Sequence, residues 1–205
     1  MIPGHWKQAT QELAKRDEVM HKLILCFKGD VLRSHGDAFT TLARSIVGQQ
    51  ISVKAAESVW QKVVTTVSEI TPHAVYDIGK DVLRSCGLSQ RKVVYLQDLS
   101  MHFISKDLNE TTWQKMDDEA LIFELTRMKG IGRWTAEMFL IFHMLRPDVL
   151  PMNDLGLKRA LNMHYNANQP MSELKIRTIS ELWKPWRSVA TWYLWRSLDP
   201  LPVEY

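Results

Sequence analysis

Helix start and stop residues recur along almost the whole chain, and this feature most limits its fold. Capping residues precede apolar residues at helical spacing, and glycines follow where such stretches end. The stretches predicted as helices are 17–27, 37–47, 52–67, 89–104, 117–128, 133–144, 154–164, 171–183 and 185–198, with a further start at Thr71-Pro72 and stops at Gly79 and Gly87. No segment alternates apolar and polar residues for long enough to predict a sheet. We therefore predict an all-α protein of about ten short helices.

Composition limits the class of protein. The 205 residues can form one domain or two small lobes, and 45% hydrophobic with 24% charged residues is typical of a globular chain. No apolar run is long enough to cross a bilayer, and residues 1–15 lack the apolar core of a secretory signal. Two cysteines are too few for a disulfide framework or an iron–sulfur site. We expect a protein that is not secreted and has no membrane partner.

A glycine-rich turn separates the predicted helices 117–128 and 133–144. Glycine allows positive φ and close backbone approach, and the amides that open the second helix attract anions. We therefore predict that this turn contacts DNA phosphates without reading the base sequence. The net charge of +3 is too small for an extended basic surface, so any contact with nucleic acid should be local. The predicted phosphate-binding residues are Lys129, Gly130, Gly132, Arg133 and Thr135. The alternative is an ordinary tight turn between helices.

The fuller pattern, from Leu125 through Gly130-Ile131-Gly132 to Ala136, resembles the helix-hairpin-helix of the HhH-GPD DNA glycosylase superfamily. That resemblance implies one glycosylase unit over 1–205, with two helical lobes and an active-site cleft between them. The central lobe is expected at about 37–143, with the hairpin at 117–144, and the second lobe at 1–36 plus 145–205. In related proteins, hairpin carbonyls bind a cation, which by position implies Thr126, Met128 and Ile131 as ligands.

The superfamily has an essential aspartate downstream of the hairpin, and Asp154 matches its position. Breaking an N-glycosidic bond builds positive charge on the sugar, which a fixed carboxylate stabilises. The carboxylate can also orient or deprotonate the attacking water. The alternative is that Asp154 only caps its helix, as aspartate often does. Asp148 is the fallback candidate, although no motif supports it.

Trp134 indicates which glycosylases the chain resembles. Superfamily members that also cleave the backbone have a lysine at this position, and tryptophan cannot act as an amine nucleophile, so we predict hydrolysis alone. The pattern from Gly130 to Ala136, with the tryptophan-rich segment after Trp183, resembles the 3-methyladenine DNA glycosylase II family over about 37–195. That resemblance implies a base pocket for alkylated purines at Trp134 and Trp195.

Further residues join this predicted pocket or depart from the family pattern. Trp192 shares a helix face with Trp195, and Met138 lies one turn after Trp134, where an aromatic residue can line the pocket. Trp183 and Trp186 are expected to fill the core. The extra N-terminal domain of the bacterial type has no counterpart here, so we expect the catalytic core alone.

The segment Val47–Ser52, called the wedge loop below, resembles the superfamily loop that fills the gap left by a flipped base. Gln50 matches the intercalating position, and Ile51 is its neighbouring alternative. Two glutamines would equally suit a polar helix–helix corner. Gly87-Leu88-Ser89 with Lys92 also resembles a family feature, which we interpret as structural.

The resemblance implies a DNA-3-methyladenine glycosylase that acts on damaged double-stranded DNA to start base excision repair, and needs no cofactor. It also implies a monomer, in the cytoplasm or nucleoid of a bacterium or in the nucleus of a eukaryote. Two alternatives remain open at this stage. One is a non-catalytic helix-hairpin-helix protein that binds DNA structure, which would need neither Asp154 nor the tryptophans. The other is a glycosylase for a different lesion class, such as a deaminated or oxidised base.

Overall fold

The computed structural model describes residues 1–34, 36–105 and 110–199, and all regular structure in these ranges is α-helical. This confirms the predicted all-α class. The thirteen helices found there are α1 (Trp6–Arg16), α2 (Glu18–Cys26), α3 (Ala38–Gly48), α4 (Val53–Val67), α5 (Pro72–Asp77), α6 (Lys80–Ser85), α7 (Gln90–Ile104), α8 (Glu110–Trp113), α9 (Asp118–Thr126), α10 (Arg133–Phe142), α11 (Leu155–Tyr165), α12 (Glu173–Glu181) and α13 (Arg187–Arg196).

Short polar side chains begin most of these helices. In each case the side chain accepts a hydrogen bond from a main-chain N–H two or three residues further on, where the helix has no carbonyl to offer. The capping residues are Asp17, Asp37, Ser52, Thr71, Ser89, Asp117, Asp154 and Ser172. The predicted helix starts at Asp37, Ser52 and Thr71-Pro72 are thereby confirmed.

The sequence predicts about ten helices, fewer than the structure contains, because some helices lack a local start residue or are too short. His5 precedes α1 without forming a side-chain cap, so no capping residue marks the start of that helix. The helices α6 and α8 have six and four residues, too few for a periodic pattern. Within the described ranges, no helix combines the length and apolar character needed to cross a membrane.

The chain divides into two compact units. The first comprises the segment before Gly36 together with the chain from Leu140 onward, and the second is Gly36–Phe139. Helices α1, α2 and α11–α13 belong to the first unit, and α3–α9 to the second. Residues of α10 fall in both units, because the boundary lies within that helix.

Tryptophans fill the core of the first unit. Trp183 and Trp192 are fully buried, and Trp186 is 9% exposed. The Trp183 indole N–H donates to the buried carboxylate of Asp17 at 2.9 Å, and the Tyr165 hydroxyl donates to the same oxygen at 2.7 Å. These bonds satisfy polar groups that would otherwise be costly to bury. The core role expected of Trp183 and Trp186 is confirmed.

Aromatic rings also connect the helices of the second unit. Phe39 of α3, Phe103 of α7, Trp113 of α8 and Phe139 of α10 meet edge to face in that order, with centroids 5.3–5.9 Å apart. Edge-to-face contact adds to the stabilisation from buried area, because the ring edge and the ring face carry opposite partial charges. The chain of rings therefore packs α3, α7, α8 and the part of α10 around Phe139 against one another.

Candidate functional site

The glycine turn joins α9 to α10, and we call residues 127–132 the hairpin turn. Gly130 has φ of +84°, and a Cβ atom built on it would come within 2.8 Å of three carbons of the Tyr95 ring. Glycine is therefore required there for both backbone conformation and packing. Gly132 differs, because a Cβ atom added to it would meet nothing within 4 Å.

Lys129 and Arg133, the two cations predicted to bind phosphate, form ion pairs with carboxylates of the protein. The Lys129 ammonium lies 3.0 Å from Asp98, and Arg133 lies 2.6 Å from Glu119 and 2.9 Å from Glu137. Burial would raise the pKa of Asp98, but hydrogen bonds and charge from Lys129 outweigh it and lower that pKa. Hydrogen bonding from Arg133 lowers the pKa of Glu119. The local charge is thus largely balanced, which the sequence did not indicate.

Thr135 requires a correction among the predicted phosphate ligands. Its side chain is 6% exposed, so its hydroxyl has no open approach for a phosphate. The main-chain amides that open α10 fit the role better, since the first N–H groups of a helix have no carbonyl partner within it. Phosphate binding by Gly130, Gly132, Lys129 and Arg133 stays a prediction.

The wedge loop combines exposure with an uncommon backbone. Gln50 is exposed and has φ of +58°, in the left-handed region that non-glycine residues seldom adopt. Ile51, its neighbour, is 41% exposed. Strained, exposed residues of this kind cluster at functional sites. The geometry is compatible with the predicted wedge residues, and the choice between them stays open.

Asp154 begins α11 and is partly buried. One carboxylate oxygen, Oδ1, accepts hydrogen bonds from the Leu157 amide and, at 2.7 Å, from the Trp195 indole N–H. Asp154 therefore does cap its helix, as the alternative prediction states. Capping and catalysis do not exclude each other, because the same two donors fix the orientation of the carboxylate.

Trp195 and Gly156 complete this arrangement. The Trp195 indole is 7% exposed and stacks on Phe142 with centroids 5.6 Å apart and planes 13° from parallel. A Cβ atom on Gly156 would lie 3.1 Å from Asp154 Oδ1 and 3.2 Å from Trp195 Cδ1. Gly156 was not predicted as a site residue. Its one sequence cue is a glycine inside a helical pattern, which can mark close packing.

Comparison with known proteins identifies the family. The profile of the HhH-GPD superfamily of base excision DNA repair proteins matches residues 43–187, which include the wedge loop, the hairpin turn and Asp154. The chain belongs to the HhH-GPD superfamily.

Similar HhH-GPD proteins include curated and solved examples. DNA-3-methyladenine glycosylase 1 of Schizosaccharomyces pombe is 32% identical over 78% of this chain and 72% of its own length. DNA-3-methyladenine glycosylase of Saccharomyces cerevisiae is 34% identical over 78% of this chain and 66% of its own length. A crystal structure of a DNA-3-methyladenine glycosidase from Bacillus halodurans has a TM-score of 0.85 at 30% identity, covering 94% of this chain and 89% of the other.

The predicted base pocket of this HhH-GPD protein needs two corrections. Trp192 is fully buried and meets Trp6 and Tyr193 edge to face, so no part of its ring is open to a base. Met138 is 2% exposed, so its side chain is likewise not open to a base. Trp195 is 7% exposed and its indole N–H is bound to Asp154, so its part in a base pocket stays a prediction. Trp134 is 40% exposed and also stays a predicted base contact. The sequence alone could not separate these cases, because helical spacing does not reveal which faces become covered.

Asp148, the fallback candidate for the superfamily's aspartate, forms an ion pair with Arg187. Its carboxylate binds Arg187 through Nε at 2.7 Å and Nη2 at 3.0 Å. Such a two-point ion pair fixes both side chains and is typical of structural contacts. The fallback is therefore wrong, and Asp154 remains the candidate.

The cation predicted at the hairpin turn would use carbonyl oxygens of Thr126, Met128 and Ile131. Thr126 is the last residue of α9, and Met128 and Ile131 follow it in the hairpin turn. Carbonyls at a helix end and in a turn lack the amide that a further helical turn would supply. The Met128 carbonyl accepts the Ile131 amide at 3.1 Å and retains a second lone pair. The residues present thus fit a cation, which stays a prediction. No cluster of three or more histidine, cysteine, aspartate or glutamate side chains suited to a metal occurs in the described ranges.

Proposed function

We propose that this protein is a monofunctional DNA glycosylase that hydrolyses the N-glycosidic bond of alkylated purines, of the 3-methyladenine and 7-methylguanine type, in double-stranded DNA. The reaction removes the damaged base and starts base excision repair. The protein would act in the compartment that contains the DNA, as a monomer and without a cofactor. A cation at the hairpin turn would add only to phosphate binding.

The observation that carries this proposal is the setting of Asp154. Two N–H donors, from Leu157 and Trp195, bind one oxygen of a partly buried carboxylate. An oriented carboxylate stabilises developing positive charge better than a mobile one, because it needs no reorganisation during the reaction. Partial burial strengthens the effect, since less water screens the charge.

The chemistry follows from this placement. The bond between C1′ and the base nitrogen breaks, and its electron pair leaves with the base. Positive charge builds on the sugar, where the Asp154 carboxylate stabilises it. A water oxygen then bonds to C1′, and the water loses a proton to the carboxylate or to solvent. The products are the free base and an abasic sugar. An alkylated purine is already cationic, so it leaves without being protonated by the protein.

Trp134 supports both the substrate class and the absence of strand cleavage. It occupies the position where lyase members of the superfamily have lysine, so no Schiff base can form there. Its indole is 40% exposed and can contact a ligand. A cationic ring over an indole face gains about 0.5–2 kcal/mol, which favours alkylated purines over neutral ones.

The relatives support the same class of substrate. The fission and budding yeast proteins are named DNA-3-methyladenine glycosylases. The 3-methyladenine DNA glycosylase Mag1 of Schizosaccharomyces pombe, solved in complex with abasic DNA, has a TM-score of 0.80 at 28% identity, covering 97% of this chain and 100% of the other. By analogy, the hairpin turn would bind DNA phosphates, with main-chain amides as the principal donors.

The experiment is single-turnover release of 7-methylguanine and 3-methyladenine from methylated duplex DNA. Asp154→Asn preserves the helix cap, because asparagine caps helices as well as aspartate does. We expect release to slow by about 100-fold or more. Asp37→Asn is the matched control, since Asp37 caps α3 in the same way. The control should retain full activity.

Other outcomes would reject the proposal in distinct ways. Equal release by wild type and Asp154→Asn would remove Asp154 from the chemistry. DNA binding without release of any damaged base would favour a non-catalytic DNA-structure-binding protein. A covalent adduct trapped by borohydride would contradict the hydrolytic mechanism, because only an amine nucleophile gives such an adduct.

A further inference from the structure

One face of α7 contacts both segments that the proposed function assigns to DNA. Lys92, Tyr95 and Asp98 are spaced three residues apart, so they lie along one side of the helix. Lys92 reaches the wedge loop, whereas Tyr95 and Asp98 reach the hairpin turn. All of these residues belong to the second unit.

The contact with the wedge loop is a hydrogen bond between Lys92 and Val47. The Lys92 ammonium donates to the Val47 carbonyl at 2.8 Å. Val47 lies in the last turn of α3, where carbonyls have no helical amide to accept from. The bond is partly buried, and this burial lowers the pKa of Lys92. The bond fixes the point at which the chain leaves α3 for Gln50.

The contacts with the hairpin turn fix its backbone. The Tyr95 ring occupies the space that a side chain on Gly130 would need. The next residue back, Lys129, donates its main-chain N–H to Asp98 at 2.9 Å and its ammonium to the same carboxylate at 3.0 Å. Two consecutive residues of the turn are thus attached to α7.

Gln49 connects the two segments directly. Its side-chain amide Nε2 donates to the Gly130 carbonyl at 2.8 Å, across 81 residues of sequence, in a partly buried position. The adjacent Gln50 is exposed, with its backbone in the left-handed region. The two glutamines therefore differ: one binds the hairpin turn, and the other is available to DNA.

We propose that Gln49 is a positioning residue that joins the wedge loop and the hairpin turn into one rigid element supported by α7. Phosphate binding at the hairpin turn would then set the height and angle at which Gln50 enters the duplex. This inference rests on the proposed function. Its physical basis is that everting a base costs a few kcal/mol, which a wedge recovers only if it is already ordered when DNA binds.

The test uses Gln49→Met, which keeps the side-chain length but removes the amide donor. Single-turnover release of 7-methylguanine is measured in two duplexes, one with cytosine opposite and one with a tetrahydrofuran abasic analogue opposite. We expect excision from the paired duplex to slow by about tenfold. Excision from the unpaired duplex should slow by less than about twofold, because little eversion work remains there.

Gln97→Met is the matched control. Gln97 also lies on α7 and donates its side-chain amide to a backbone carbonyl, that of Val75 at 3.1 Å, but it contacts neither DNA segment. Its replacement should leave both excision rates unchanged. If Gln49→Met does not fold, Gln49→Asn replaces it, because the shorter amide cannot reach Gly130.

The outcomes separate the inference from the proposed function. Equal slowing on both duplexes, or no slowing on either, would overturn the role of Gln49 while leaving the glycosylase activity intact. Failure of the wild type to release 7-methylguanine would reject the proposed function instead. In that case, fluorescence of 2-aminopurine paired with thymine would still report eversion. No difference between wild type and Gln49→Met in that signal would also overturn the inference.

Discussion

Replacing Gly156 with alanine adds one methyl group beside the hydrogen bond between Asp154 and Trp195. The new Cβ atom would lie 3.1 Å from Asp154 Oδ1 and 3.2 and 3.3 Å from Trp195 Cδ1 and Nε1. Ordinary van der Waals contacts begin near 3.4 Å, so both side chains would have to move by a few tenths of an ångström. The Trp195 ring is backed by Phe142, which limits the directions available to it.

Stability should change little. Gly156 lies in α11 and its φ is not in the left-handed region, so alanine is compatible with the backbone. A glycine-to-alanine change within a helix typically stabilises it by up to about 1 kcal/mol. The crowding and the weakened hydrogen bond to Asp154 oppose this gain, so we expect the free energy of unfolding to stay within about 2 kcal/mol of the wild type.

Activity should fall, because the indole N–H no longer lies where it can orient the carboxylate. A hydrogen bond to a charged acceptor contributes about 1.5–3 kcal/mol. Loss of that amount from the transition state corresponds to about a 10- to 150-fold slower reaction. Single-turnover release of 7-methylguanine measures this directly, and thermal unfolding measures stability on the same samples.

A binding assay separates misorientation from general damage. Duplexes with a cationic pyrrolidine in place of the sugar mimic the charge of the transition state, whereas tetrahydrofuran duplexes do not. Gly156→Ala should weaken binding of the pyrrolidine duplex selectively. Trp195→Phe should do the same, because phenylalanine can stack on Phe142 but has no N–H to donate. Gly4→Ala is the control, since nothing lies within 4 Å of its added Cβ.

Two results would refute this reasoning. Full activity of Gly156→Ala would mean that the close packing at α11 does not orient Asp154. Equal weakening of binding to both duplexes, or a large loss of stability, would mean that the change damages the fold rather than the carboxylate.

Two further predictions concern the ion pairs near the hairpin turn. Glu119→Gln should remove the exposed ion-pair partner of Arg133, so duplex DNA should bind more tightly. The slope of log K against log salt concentration, measured by fluorescence anisotropy, should steepen by up to about 0.9. An unchanged slope would mean that the ion pair does not mask the charge of Arg133. The lowered pKa of Asp98 predicts stability that is present above its ordinary value of 3.8 and is lost as the pH falls through the lowered folded-state pKa. Chemical denaturation of the wild type and Asp98→Asn should therefore show a difference at neutral pH that disappears in acid, and a difference independent of pH would contradict the assignment.

Helices, caps and the hairpin could be predicted from the sequence because they depend on local interactions. Ser52 and Asp117 cap the helices that follow them, as their spacing to the apolar pattern indicates. Gly130 needs its left-handed backbone, which glycine adopts at little cost. These features involve residues within one or two turns of each other, so their chemistry is visible in the order of the chain.

Asp154 is a candidate from its place after the hairpin and from the resemblance to a known family, and it lies within the range that the superfamily model matches. The sequence also gave a reason to exclude lyase chemistry, since Trp134 has no amine. It did not distinguish Trp192 from Trp195, which share a helix face by spacing. All eight residues from Ser188 to Trp195 are buried, so periodicity in α13 carries no information about the partner of each side chain.

Only the tertiary structure decided which partners these residues have. Lys129 binds Asp98, 31 residues away, and Gln49 binds Gly130, 81 residues away. Asp154 accepts the Trp195 N–H across 41 residues, in a space kept open by the missing side chain of Gly156. Such contacts depend on how packed helices place distant residues side by side. The order of amino acids determined the helices and the reactive groups, and packing determined which of them act together.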